Sequence, residues 1–378
     1  MRILIAPDSF KGSASSRELC EMIERALLRR APHAEIIRLP MADGGEGTVE
    51  ALVLASKGRF CTRTVSGPLL EPREAVFGVL GDGKTAVIEM AAASGLPFVP
   101  REKRDPFRTT SAGTGQLIAA ALDEGCDHVI MGIGGSATND GGAGMLQALG
   151  FGLLDRAGQP IAPGASGVSE LARIETTAAD PRLRTCRFTV ACDVDSPLCG
   201  PRGASAVFGP QKGARPQDVP VLDAVLARFG SLLEQTAGRN VVNVPGAGAA
   251  GGMGAALMAL LGAELRPGFA IVNEVTGYER LLQTGGIDLV ITGEGQMNAQ
   301  SLMGKLPVEA ARLAKKYGVR CVAIVGSRGE GAEHAEQCGF SSVYELMTEG
   351  MTLEYSMTHT AELVEQAVKQ IDLTGGQV

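Results

Sequence analysis

Several short stretches of this chain combine glycines with hydroxyl, amide, carboxylate and ammonium side chains, the groups that handle phosphate and divalent cations. Gly132–Gly142 (GIGGSATNDGG) holds five glycines around Ser136, Thr138, Asn139 and Asp140, and leads into an apolar segment at Ala143. Backbone N–H groups freed by glycines and aimed by a helix N-terminus bind phosphate oxygens well. Gly134, Gly135, Ser136, Asn139 and Asp140 are therefore expected to cradle a phosphate. Pro7–Ser13 (PDSFKGS) places Asp8, Ser9 and Lys11 after an apolar run, and Ala42–Thr48 (ADGGEGT) places Asp43 and Glu46 among glycines. Thr292–Lys305 repeats the logic with Glu294, Asn298, Gln300, Ser301 and Lys305. Ala191–Ser196 (ACDVDS) supplies Asp193 and Asp195, and Phe208–Gly213 (FGPQKG) offers Lys212 as a mobile cation. Paired carboxylates suit Mg2+, which takes only one or two of them and completes its shell with water and phosphate oxygens.

Two further matches carry less. Gly78–Thr85 (GVLGDGKT) has the P-loop spacing, but a P-loop must lead into a helix, and here strand formers (TAVIEM) follow the lysine. That stretch reads instead as a hairpin around a Gly-Asp-Gly turn. Gly246–Gly251 (GAGAAG) has the dinucleotide spacing. Glycine and alanine permitting tight helix packing is at least as good an explanation.

The elements that must position these groups alternate. Arg2–Ala6, Glu35–Leu39, His128–Ile133, Asp288–Thr292 and Arg320–Val325 are short apolar runs, with helical periodicity between them, as in Leu19, Met22, Ile23, Ala26 and Leu27. Strand alternating with helix predicts a parallel, helix-covered sheet, whose C-terminal edge is where ligands sit. Val76–Met90 and Arg187–Gln211 break the rhythm and predict a second α/β domain inserted in the first. The expected division is 1–64, 111–195 and 286–378 for the first domain, with 65–110 and 196–285 for the second. Residues 374–378 alone look disordered.

Composition narrows the partners. The chain has 378 residues, 35 Lys+Arg against 42 Asp+Glu, 4% aromatics and no Trp. It offers neither the basic face nor the stacking platform of a nucleic-acid binder. The longest apolar stretch is shorter than the roughly 20 residues that span a bilayer. Met1–Asp8 meets Pro7 and Asp8 before it can act as a signal sequence, so a cytoplasmic protein with reduced cysteines is expected. The eight cysteines and four histidines form no metal-spaced cluster. Nothing in the sequence sets an oligomeric state.

In one order, nearly end to end, the chain carries IAPDSFKGS, ADGGEGT, GDGKTAVIEMAAASGL, GIGGSATNDGGAGM, VACDVDSPL, FGPQKGA, GAGAAGGMGAAL and ITGEG followed by QS and GK. Together these resemble the bacterial type I glycerate kinase family. The resemblance implies ATP- and Mg2+-dependent phosphorylation of D-glycerate to 2-phosphoglycerate. It also implies two α/β domains, one Rossmann-like, with the active site in the cleft between them. The likeness departs after ITGEG, where Asn298 stands in place of the family's usual Asp and Gln296 in place of a frequent basic residue.

Phosphoryl transfer asks a protein for positioning and charge neutralisation. On this reading Lys11 neutralises an anion, Asp43 accepts the proton, and Asp193 or Glu294 holds the metal, which makes Asp193 catalytic too. Ser9, Glu46, Asn298, Gln300 and Lys305 are assigned to the acceptor substrate. Two alternatives stay open: an NAD(P)-dependent oxidoreductase acting on a small hydroxy acid, resting on Gly246–Gly251, and a non-catalytic sugar-acid binding protein. The first lacks an obvious ribose-binding acid, and the second would normally be exported.

Overall fold

The computed structural model describes residues 1–302 and 304–374, so 375–378 of the tail expected to be disordered lie outside the described residues. Among the described residues the strands, in chain order, begin with β1 (Arg2–Ile5), β2 (Glu35–Arg38), β3 (Arg59–Ser66), β4 (Pro72–Val79), β5 (Thr85–Glu89) and β6 (His128–Gly132). They continue with β7 (Gly152–Leu154), β8 (Arg173–Glu175), β9 (Arg187–Ala191), β10 (Glu264–Arg266), β11 (Leu289–Met297), β12 (Arg320–Arg328) and β13 (Ser342–Glu345). The chain forms two compact units, Met1–Asp43 with Glu50–Ala55 and Phe269–Val378, and Gly44–Val49 with Ser56–Gly268.

The first unit holds an all-parallel sheet in the order β13-β12-β11-β1-β2. One face of it, through Ile3, Ile5, Leu289, Ile291, Val322 and Ile324, packs on Leu19, Ile23 and Leu27 of helix Ser16–Arg30 and on Val364 and Val368 of helix Thr360–Gln370. Each such side chain stabilises the unit by about 1.5–3 kcal/mol on burial. The helix after β1 starts at a capping box, Ser15 accepting the Glu18 amide while Glu18 takes the Ser15 amide. Helix Leu306–Lys316, which follows β11, packs on β11 and β12. Alternate strand residues point to opposite faces, so Leu4, Val290 and Ala323 are also fully buried.

Counted within this unit the strand order is 2-1-3-4-5. Chains leaving β1 and β11 cross to different neighbours, which opens a crevice outside the carboxyl ends of these two strands.

The second unit is built on the sheet β10-β9-β6-β5-β4-β3. Strands β5, β6, β9 and β10 run parallel and β3, β4 and β5 antiparallel. Phe77, Ile88, Leu117, Met131, Met145, Phe188, Leu226, Phe229 and Leu257 lie in its core. The predicted hairpin is β4–β5, with Asp82 in its turn accepting the Lys84 and Thr85 amides and the Thr85 hydroxyl. Strand β5, not a helix, follows Lys84, so the P-loop spacing there lacks the helix that would hold phosphate.

The expected domain limits differ from these units. Strand β6 pairs with β5 and β9 with β6, so 111–195 sits with the second unit, while 269–285 goes with the first. A strand–helix rhythm is the same in both sheets, and only long-range pairing tells which sheet a strand joins.

The Gly246–Gly251 stretch is a packing device. It opens helix Ala249–Leu261, in which Ala250, Gly251 and Gly252 have left-handed backbones. A Cβ on Gly251 would lie 2.0 Å from the Thr138 carbonyl oxygen, and the Gly141 amide donates to the Gly251 carbonyl at 3.0 Å. Glycine is required there because two backbones touch.

Candidate active site

A cavity of about 540 Å3 opens at the crevice of the first unit. The loop after β1 brings Asp8, Ser9, Phe10, Lys11 and Ser13 to it, the loop after β2 brings Asp43, and the end of β11 with the segment that follows brings Glu294, Asn298, Gln300 and Lys305. These groups stand at or beyond the C-terminal ends of β1, β2 and β11, so the sheet edge itself collects them.

Two of the carboxyl groups are buried. Burial, with Asp43 and Glu294 nearby, pushes the Asp8 carboxyl up to about 8, although the Ser9 amide donates to it at 2.7 Å and Lys11 pulls the other way. Glu294 is pushed up to about 7, again by burial first, while Ser301 and Lys305 pull it down. Its Oε1 is buried without a hydrogen-bond partner, as is the Ser9 hydroxyl. Lys11 is exposed and Lys305 half-buried, and neither makes an ion pair within 4.0 Å among the described residues. Crowded acids with raised pKa values, beside ammonium groups without ion pairs, make a site suited to a cation and an anion.

The Gly-rich loops of the second unit meet each other instead. A Cβ on Gly132 would lie 2.3 Å from the Gly44 carbonyl oxygen, and one on Gly44 would lie 2.5 Å from the Ala191 Cβ. Asp140 is wholly buried; its Oδ2 accepts the Ser111 amide (2.8 Å), the Ser111 hydroxyl (2.8 Å) and the Gly144 amide (3.2 Å), and its Oδ1 the Gly142 amide (3.1 Å). Asn139, also wholly buried, donates to Ser205 Oγ at 3.0 Å. Lys212 is 1% exposed, and its Nζ donates to Ser136 Oγ at 2.8 Å and to the Thr138 carbonyl at 2.6 Å. Burial pushes its ammonium down to about 7, against the pull of Asp140.

The sequence matches the model of the glycerate kinase family over residues 3–374. The chain belongs to the glycerate kinase family. It is 49% identical over 371 residues to a glycerate kinase of Bacillus subtilis (strain 168), covering 98% of this chain and 97% of that protein. It is 47% identical over 374 residues to a glycerate 2-kinase of Escherichia coli (strain K12), covering 99% and 98%. The fold matches the crystal structure named for glycerate kinase 2 of Salmonella typhimurium LT2, with a TM-score of 0.87 at 47% identity, covering 98% of this chain and 96% of that one. Family membership and the packing role of Gly246–Gly251 decide against the nicotinamide reading.

Among the residues expected to act in this glycerate kinase family member, Ser9, Lys11, Asp43, Glu294, Asn298, Gln300 and Lys305 line one cavity. Glu46, Gly134, Gly135, Ser136, Asn139, Asp140 and Asp193 belong to the second unit and do not line it. Several of those expectations need correcting. Asp140 is an internal brace of its loop, its carboxylate fully taken up by these donors, whereas Asn139 is anchored to Ser205 through its amide nitrogen while its buried Oδ1 has no hydrogen-bond partner. The helix after the loop, Ala143–Ala148, has six residues, and its first amides are taken by Asp140 and by Ser111 Oγ, not left for phosphate. Gly134 and Gly135 alone of the five named there are exposed. Lys212 is a fixed, buried cation rather than a mobile one. Asp193 is exposed, and its Oδ1 accepts the Gly268 amide at 2.9 Å. Sequence reasoning named Asp8 but gave it no role; its burial could have been suspected from its place soon after the apolar run Ile3–Ala6.

Asn298 at the family departure is a turn cap. Its Oδ1 accepts the Gln300 amide at 2.9 Å and the Ser301 amide at 3.4 Å, ahead of the short helix Ala299–Leu302. Asp and Asn cap about equally well. Asn298→Asp is therefore expected to change kcat by less than about tenfold, as read from initial rates at saturating substrates.

The raised carboxyl of Asp8 has a consequence for stability. A carboxyl whose pKa is higher folded than unfolded contributes stability that is present at low pH and lost as pH rises through its folded value. In chelator-treated protein, Asp8→Asn should therefore gain Tm over the parent as pH rises from 5 to 9. One pKa unit is about 1.4 kcal/mol, and a unit of this size moves about 2–4 °C per kcal/mol, so the gain at pH 9 should reach several degrees. A difference that is flat with pH would remove Asp8 from the buried, crowded state described here.

Proposed function

We propose that this chain transfers the γ-phosphoryl group of ATP to the 2-hydroxyl of D-glycerate, with Mg2+, in the cytoplasm. The observation that carries the reading is the set of unpaired Lys11 and Lys305 ammonium groups facing Asp8, Asp43 and Glu294 at the β1/β11 crevice. No helix among the described residues is long and apolar enough to cross a membrane.

The donor set suits a hard divalent cation. Glu294 has a buried oxygen with no partner, and burial first, with neighbouring acids adding to it, raises the Asp8 and Glu294 carboxyls, a cost that a bound cation would offset. Mg2+ takes only one or two protein carboxylates and completes its shell with water and phosphate oxygens. Glu294 and Asp8 would hold it, and when bound it neutralises charge on the phosphate oxygens. Asp43 accepts the proton of the attacking hydroxyl as the new O–P bond forms and the bond to the ADP oxygen breaks. Lys11 and Lys305 hold anionic oxygens through this change.

The test is glycerate-dependent ADP release over a panel of small hydroxy acids, with the phosphorylated position read by phosphorus NMR. Release with D-glycerate and a 2-phospho product, abolished by a chelator and restored by Mg2+, is the expected outcome. A 3-phospho product, or release without any acid, would overturn the proposal.

A further inference from the structure

The cavity is two-faced, and the sheet order shows how its faces are arranged. The charged groups stand over β2, β1 and β11, whereas the portion over β12 and β13 is lined by Gly326, Ser327, Leu346 and Met347, and by Leu353, Ser356, Met357 and Thr360 from the C-terminal helices. None of these eight side chains is charged. Neighbouring strands lie about 4.8 Å apart, so the apolar end begins one strand from Glu294 and extends to two. Glycerate, a three-carbon acid, cannot fill a cavity of about 540 Å3. Cavities of about 300–1,000 Å3 take ligands of drug size, mostly through apolar walls with a few fixed polar groups.

Resting on the phosphoryl-transfer reading above, we propose that this apolar end, walled by Leu346, Met347, Leu353 and Met357, holds the nucleoside of ATP, with the phosphates running toward Lys11 and Lys305. The two ends are joined in one wall. The Ser13 hydroxyl donates to the Met357 carbonyl at 3.3 Å and pairs with the Thr360 hydroxyl. A Cβ on Gly12 would lie 2.9 Å from the Met357 Cε, so the loop carrying Lys11 packs directly on the helix carrying the apolar wall. Leu353 is 61% exposed at the rim although it is a large apolar side chain. It presents apolar surface at the cavity's rim against which a flat, apolar ring can lie.

Leu353→Asp is the main test, because so exposed a residue can be changed without disturbing the fold; Met347→Asp is its companion. In both, KM for ATP should rise about tenfold or more, with kcat at saturating ATP and KM for glycerate within about twofold, the pattern of lost uniform binding. By calorimetry, AMP should bind the variants more weakly while inorganic tripolyphosphate binds them as it binds the parent. A rise in KM for glycerate with KM for ATP unchanged would give this end to the acid and overturn the proposal, as would unchanged constants for both substrates. A parent protein that binds ATP in a Leu353-dependent way but does not phosphorylate glycerate would sink the functional reading and leave the nucleoside site standing.

Discussion

Lys11→Ala is expected to lower kcat/KM for phosphoryl transfer by about 100-fold or more, the scale of removing one preorganised electrostatic contact. Lys11 follows β1 at the crevice, is exposed, and has no carboxylate within ion-pair distance among the described residues. An ammonium group left unpaired beside three acids is held there by the chain, not by a salt bridge, and its work begins when an anion arrives. Its removal should therefore leave the Tm nearly unchanged. Lys11→Arg should recover only part of the loss, since a planar guanidinium does not replace a compact point charge. Equal kinetics for Lys11→Ala and the parent would take Lys11 out of the site.

The second large effect concerns stability. Asp140→Ala should destabilise the second unit by about 3–5 kcal/mol, because it leaves buried donors without an acceptor. Four donors converge on this one carboxylate, from Ser111, Gly142 and Gly144. The buried Lys212 ammonium also loses the charge that favours it. Asp140→Asn should be only slightly better, because its amide nitrogen would face donors. Denaturant unfolding of each variant measures the loss, and a value below about 1 kcal/mol would mean the loop is held by something else. Lys212 adds a pH signature. Its pKa is lower folded than unfolded, so the unfolded chain binds more protons above pH 7 and the parent should gain stability from there toward the unfolded lysine value. That rise should disappear in Lys212→Met.

The sequence alone determined a good deal. Apolar runs of strand length followed by polar Gly-rich loops are local features, and β1, β2, β11, β12, the β4–β5 hairpin and the capping box at Ser15 are all local. The unusual strings IAPDSFKGS and GIGGSATNDGG, taken in order with their neighbours, sufficed for the family. Ser9, Lys11, Asp43, Glu294, Asn298, Gln300 and Lys305 could be named because they lie in polar, Gly-bearing stretches at the C-terminal ends of strands, where a parallel sheet sends its ligand groups.

Tertiary structure alone decided how those loops are used. Both Gly-rich loop sets follow parallel strands and look alike in sequence. Strand pairing, which acts between residues hundreds of positions apart, put β6 and β9 in a different sheet from β1 and β11. Burial then separated the roles. Asp140 and Lys212 were enclosed with partners and became braces, while Asp8 and Glu294 were enclosed beside other acids, which raises their pKa values. A carboxylate, an amide or an ammonium has the same formula in either place. Whether it holds the fold or meets a ligand depends on which groups surround it once water has been removed, and that is set by packing rather than by spacing along the chain.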